Sequence, residues 1–137
     1  MAETAAPDAE QVMRDYFDLR NGDRSKLSVL ADSFTFSHPF GEVHGGDELV
    51  EMQLENERAM ADTDLEVDEM LVGDGVAMWK WTMSGTHDGE WQGIPPTGRE
   101  VELEGMSMTV IADGKVQSNR AYFDSQNLLS QLGATDE

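Results

Sequence analysis

The residues of this chain best placed for chemistry are Arg120, Tyr122 and Asp124, which recur at every second position and so share one face of a predicted strand, Val116 to Asp124. A carboxylate held in an apolar pocket loses solvent, its pKa rises, and it becomes a better base toward an activated C–H bond. An arginine beside it works the other way on that carboxylate, but can itself grip an anionic or carbonyl oxygen of a ligand. Asp124 also stands just before a short Leu-rich segment, so capping a final helix or pairing with Arg120 is an equally available role. The chain has three histidines, His38, His44 and His87. His38 follows a strand with Phe34 and Phe36 and suits the lining of a cavity, whereas His87 opens a long loop and suits a buried structural place. The spacings His38 to His44 and His87-Asp-Gly-Glu90 fit no metal-ligand template, and there is no Cys to supply a thiolate, so no metal is expected. No phosphate loop, dinucleotide fingerprint or serine nucleophile elbow is present, and no cofactor is expected.

The elements that must hold these residues follow from periodicity. Val12, Met13, Tyr16, Phe17 and Leu19 mark a helix from Ala9 to Asn21 with Tyr16 and Phe17 inward. A short helix at Ser25 to Leu30 leads into a strand, Ser33 to Ser37, and residues 41–46 read as a loop. A second long helix follows, capped by Asp47 and running to about Met60, with Leu49, Val50, Met52 and Leu54 inward. The rest is strand: Leu65 to Val72, Val76 to Thr86, Glu100 to Ile111 and Val116 to Asp124, joined by turns at Gly73-Asp74-Gly75 and Asp113-Gly114. Between Thr86 and Glu100 lies a long loop with Gly89, Gly93, Pro95, Pro96 and Gly98, suited to closing the mouth of a curved sheet. Ser125 can cap a last helix with Leu128, Leu129 and Leu132, closed by Gly133. Helices first and a meander of strands afterwards is the α+β order, and the expectation is a cone: a curved antiparallel sheet with about three helices on its concave face. Trp79, Trp81 and Met83 share one face of their strand, and seven methionines, Met52, Met60, Met70, Met78, Met83, Met106 and Met108, could supply an adaptable apolar lining.

Composition narrows the partners. The 137 residues suit one domain, expected over 8–133, with a loose arm at 1–7 and a tail at 134–137. A formal net charge of −19, from 28 acidic against 9 basic residues, would repel nucleic acid and an anionic membrane alike. The acid is spread along the whole chain, the pattern of a halophile, whose proteins rely on salt to screen their own charge. No apolar run is long enough to span a bilayer and the N-terminus lacks a signal-peptide pattern, so a cytoplasmic protein is expected.

The run GTHDGEWQGIPPTGREVELEGMSMTVIADGKV, followed by Asp124 and the leucines after it, resembles the SnoaL-like polyketide cyclase family of the nuclear transport factor two-like superfold, over about Ala9 to Gly133. The resemblance implies a cone-shaped α+β fold and a pocket for a small apolar molecule. It assigns to Asp124 the general acid and base that moves a proton at an activated carbon, with Tyr16, His38, Trp91, Arg120 and Tyr122 lining the substrate site. The family usually has an aromatic where Arg120 stands. The histidine that its cyclases carry on the preceding strand has no counterpart among Met106, Met108 and Val110. A cofactor-free cyclase, isomerase or dehydratase, a non-catalytic ligand-binding module and a structural homodimer paired through the sheet's outer face are the three functions open to such a chain.

Overall fold

A computed structural model describes residues 8–133, so the expected arm and tail lie outside the described residues. The Asp8 carboxylate accepts the backbone N–H of Glu10 and starts helix α1, Ala9–Arg20, whose buried stripe is Val12, Met13, Tyr16 and Leu19. A 3-10 turn, Arg24–Val29, leads into β1, Leu30–His38. The expected loop at 41–46 is instead a short strand, β2, Gly41–His44, which folds back on β1 after Pro39 and Phe40. Helix α2, Gly45–Ala59, therefore begins two residues before Asp47, with His44 at its N-cap. The cap is closed in the reverse sense: the Glu48 carboxylate accepts the His44 backbone N–H at 2.8 Å. Strands β3 (Asp64–Val72), β4 (Val76–Thr86), β5 (Glu100–Ala112) and β6 (Lys115–Phe123) follow, and α3, Ser125–Gln131, ends the fold.

Six strands form one sheet in the order β2-β1-β6-β5-β4-β3. The sheet is antiparallel at every pair but one, because β1 runs parallel to β6. The polypeptide between them, α2 and the β3–β5 meander, supplies the long connection that a parallel pair requires.

The inner face of the sheet carries Phe34 and Phe36 from β1, Ala77, Trp79 and Trp81 from β4, Val101, Leu103, Ser107, Thr109 and Ile111 from β5, and Asn119 and Ala121 from β6, all buried. Gly105 lies directly across from Trp81, and a Cβ at that position would overlap the indole, so only glycine lets the ring lie flat against β5. The outer face exposes Leu71, Met78, Met106 and Tyr122. The face of β6 bearing Arg120, Tyr122 and Asp124, expected to line the cavity, is therefore the exterior one. Val116 is fully buried, and a strict two-residue count from it would put 118, 120, 122 and 124 inside. The β5–β6 register slips by one between Val110 and Ile111, because Val110 faces Ser118 while Ile111 faces Val116, and Gln117 is the extra residue. That bulge reverses the phase of the rest of the strand. The methionines divide in the same way: Met52, Met60 and Met83 reach the interior cavity, whereas Met78 and Met106 are exposed outside.

Candidate functional site

Between the concave side of the sheet, α1, α2 and α3 lies a cavity of about 140 Å³. Its walls are aromatic. Trp81 meets Phe123 edge-on at 6.0 Å between ring centroids, Phe123 lies 5.8 Å from Phe40, and Phe40 stands against Trp91 at 5.4 Å and 80°. Trp91 is brought there by the long loop. Its backbone exchanges both hydrogen bonds with Ile94 around a two-residue turn at Gln92 and Gly93, both with positive φ, the geometry of a tight hairpin. The base of that loop is pinned to the end of α2, where Asp88 and Gly89 donate their N–H groups to the Ala59 carbonyl at 3.0 and 2.9 Å. A side chain at 89 would overlap the Arg58 carbonyl, which accounts for the glycine. His87, as expected, is buried and structural: its Nδ1 meets the Thr97 hydroxyl at 3.0 Å and its backbone pairs with Arg99 and Gly98.

The polar side chains on this lining are Arg20, His38, Glu55, Asn56, Thr63, Gln92 and Ser107. Arg20, the last residue of α1, lies one helical turn after Tyr16 and so on the same inward face. Its guanidinium stacks 4.5 Å from the Phe36 ring centroid, and Nη1 donates to the Tyr16 hydroxyl at 3.1 Å. Its Nε is buried without a hydrogen-bond partner, and no carboxylate among the described residues lies within ion-pair distance of it. Tyr16 is completely buried and belongs to a chain of hydrogen bonds across the core. Trp79 Nε1 donates to Thr109 Oγ1 at 2.9 Å, Thr109 Oγ1 to Asn119 Oδ1 at 2.7 Å, and Asn119 Nδ2 to the Tyr16 hydroxyl at 3.1 Å. The Tyr16 oxygen thus receives two donors and fixes where Arg20 can reach.

His38, at the end of β1, lies on the cavity lining beside Phe36. Burial, assisted by the nearby positive charge of Arg20, holds its pKa below the ordinary imidazole value and so favours the neutral ring. Nδ1 accepts the Phe40 backbone N–H at 3.2 Å, which leaves the proton of the neutral ring on Nε2, a hydrogen-bond donor. Glu55, on α2, is the one carboxylate on the lining among the described residues, and it is exposed at the rim.

The expected site residues separate accordingly. His38 and Trp91 line the cavity, and Tyr16 stands behind it, holding Arg20. Arg120, Tyr122 and Asp124 are exposed on the other side of the sheet, and the Asp124 carboxylate caps α3 by accepting the Asn127 N–H at 3.0 Å. Arg20 reads in the sequence as an ordinary helix-end cation, and its four-residue spacing from an inward Tyr16 is the one signal of its inward place. A second, more open groove of about 460 Å³ runs outside, between Asp62, Thr86, Glu100, Glu102 and Gln131; it has no aromatic wall. Among the described residues no group of three metal-ligating side chains occurs, and no helix is long and apolar enough to cross a membrane.

A family model described as SnoaL-like polyketide cyclase matches residues 8–132. The chain belongs to that family. Solved structures place it in the nuclear transport factor two-like fold. TsrD from Streptomyces laurentii is similar over 98% of this chain and 100% of its own, at 25% identity and a TM-score of 0.80. A provisionally assigned SnoaL-like polyketide cyclase from Jannaschia sp. CCS1 is similar over 98% and 100% of the two chains, at 18% identity and a TM-score of 0.81. AclR from Streptomyces galilaeus, provisionally assigned as a hydroxylase, is similar over 93% and 82%, at 22% identity and a TM-score of 0.78. A comparison with curated proteins returns no match.

Proposed function

We propose that this SnoaL-like protein takes a small apolar carbonyl compound into the interior cavity and moves a proton on it without a cofactor, as a cyclase or isomerase does. The observation that carries the reading is the pair of donors on an aromatic lining: the Arg20 guanidinium, hydrogen-bonded among the described residues only through Nη1, and the neutral His38 ring with its Nε2 proton. Both suit an oxygen on which negative charge develops. The Glu55 carboxylate takes a proton from the carbon next to the carbonyl, and the C–H electron pair moves into an enolate whose oxygen Arg20 and His38 hold. Returning the proton to a different carbon completes an isomerisation; attack of the enolate carbon on a second carbonyl, with that proton passing to the new alkoxide, closes a ring. The test is exchange of the α-protons of acetophenone in heavy water, followed by NMR. Arg20→Met and Glu55→Gln are each expected to slow it by about 10²-fold or more. Exchange no faster than in buffer with the intact protein overturns the catalytic reading.

A second reading, a binding module without turnover, is favoured by one observation: Glu55 is at the exposed rim, and the interior side chains Arg20 and His38 are donors. For assembly we assign the outer sheet face to a second copy of the chain. There Leu71, Met78, Met106 and Tyr122 are exposed, and Lys80 is paired within the chain to Asp68 and Glu104. Light scattering in molar potassium chloride is expected to give a dimer, and a monomer overturns the assignment.

A further inference from the structure

We infer that the interior cavity also binds a single-ring aromatic anion, a benzoate-like carboxylate, whose charged oxygens pair with Arg20 in the place proposed above for the enolate oxygen. The inference rests on the reading of this cavity as the binding site.

The charge argument comes first. The chain has 28 Asp and Glu residues, yet Arg20 makes no ion pair among the described residues. A partly buried guanidinium without a counter-ion is costly, and a chain so rich in carboxylates could have supplied one within reach. Its Nη1 is committed to the Tyr16 hydroxyl, whose oxygen also receives Asn119 Nδ2, so that end of the fork is fixed. The Phe36 ring beneath it sets the plane of the guanidinium. Among the described residues Nε and Nη2 make no hydrogen bond, and Nε is covered in this structure, so a carboxylate that pairs with both N–H groups does so once the side chain shifts to uncover that edge. A neutral ketone offers one oxygen and no charge to the same edge. His38 Nε2 adds a further donor on the same lining.

Size and shape supply the ring. A cavity of about 140 Å³ is comparable to the apolar cavities of about 150 Å³ known to accept a benzene-sized guest. It is too small for three or four fused rings. The Phe40, Trp91, Phe123 and Trp81 side chains meet one another at tilted or edge-on angles around the space, which presents ring faces and edges to a flat guest.

The experiment is a titration of tryptophan fluorescence in molar potassium chloride with three probes: sodium benzoate, its neutral ester methyl benzoate, and the three-ring anion anthracene-9-carboxylate. Benzoate is expected to bind at least about tenfold more tightly than the ester, a difference of about 1.4 kcal/mol. Anthracene-9-carboxylate is expected not to bind. Arg20→Met is expected to abolish the preference by weakening benzoate much more than the ester, with a cooperative urea transition showing that the variant is folded; Arg20→Lys is expected to keep part of the preference. Equal affinity for benzoate and ester overturns the anion assignment and leaves the carbonyl-pocket reading standing. Tight binding of the three-ring anion overturns the size assignment. Binding of none of the probes overturns both this inference and the reading of the cavity beneath it.

Discussion

Arg20 Nη1 donates to the hydroxyl of Tyr16 at 3.1 Å, so the one cation on the cavity lining among the described residues is held by a tyrosine that never touches solvent. Removing the hydroxyl tests what this contact does. In Tyr16→Phe both Arg20 Nη1 and Asn119 Nδ2 lose their acceptor. The expected cost is about 1–3 kcal/mol of stability, because buried donors are left unmade. If Arg20 is held for binding, the same variant also loses more benzoate affinity than methyl benzoate affinity. Unfolding by urea and the fluorescence titration read the two effects separately, and unchanged benzoate affinity would show that the hydroxyl does not position Arg20.

Asp124 is expected to act on the fold and not on the cavity. Asn caps a helix about as well as Asp, so Asp124→Asn should retain stability, whereas Asp124→Ala should lose about 1 kcal/mol with the bond to Asn127. Both variants should exchange acetophenone protons at the rate of the unchanged protein. An Asp124→Asn protein that is fully stable but inactive would move the chemistry to the outer end of β6.

His38 gives a pH dependence with a definite sign. Its folded-state pKa lies below the unfolded value of about 6.5, so just below that pH the unfolded chain binds more protons than the folded one. The stabilisation is complete above about pH 6.5 and is lost as the pH falls through the lower, folded value. Urea midpoints for the protein and for His38→Gln, measured from about pH 5 to about pH 8, should converge toward the acid end. Parallel curves would contradict the assignment.

The acidic surface predicts a salt requirement. With a net charge of −19, self-repulsion acts over about 10 Å at 0.1 M salt and over about 3 Å at 1 M. The melting temperature is expected to climb from low to molar potassium chloride, and a flat profile would make the carboxylate excess incidental.

Much of this architecture is legible in the sequence because it is local. The Tyr16 stripe, the pairing of Trp79 with Trp81 on one face, the Gly-Pro loop and the order of helices before strands follow from periodicity and turn chemistry, and the structure has each of them. The strand β2 was hidden because a four-residue strand with glycine at its start carries too little pattern to separate it from a loop.

The sequence by itself determined that Arg120, Tyr122 and Asp124 lie together on one face, since the side-chain period of a strand is two. It could not determine which face that is. The answer depends on the extra residue at Gln117, visible only when β6 is laid beside β5: Val110 meets Ser118, then Ile111 meets Val116. One inserted residue turns every later side chain over, bringing Asn119, Ala121 and Phe123 inward and leaving Asp124 outside to cap a helix. The same holds for Arg20: helical spacing aligns it with Tyr16, but only the packing of α1 against β1 and β6 shows that the guanidinium rests on Phe36 with no carboxylate among the described residues at ion-pair distance.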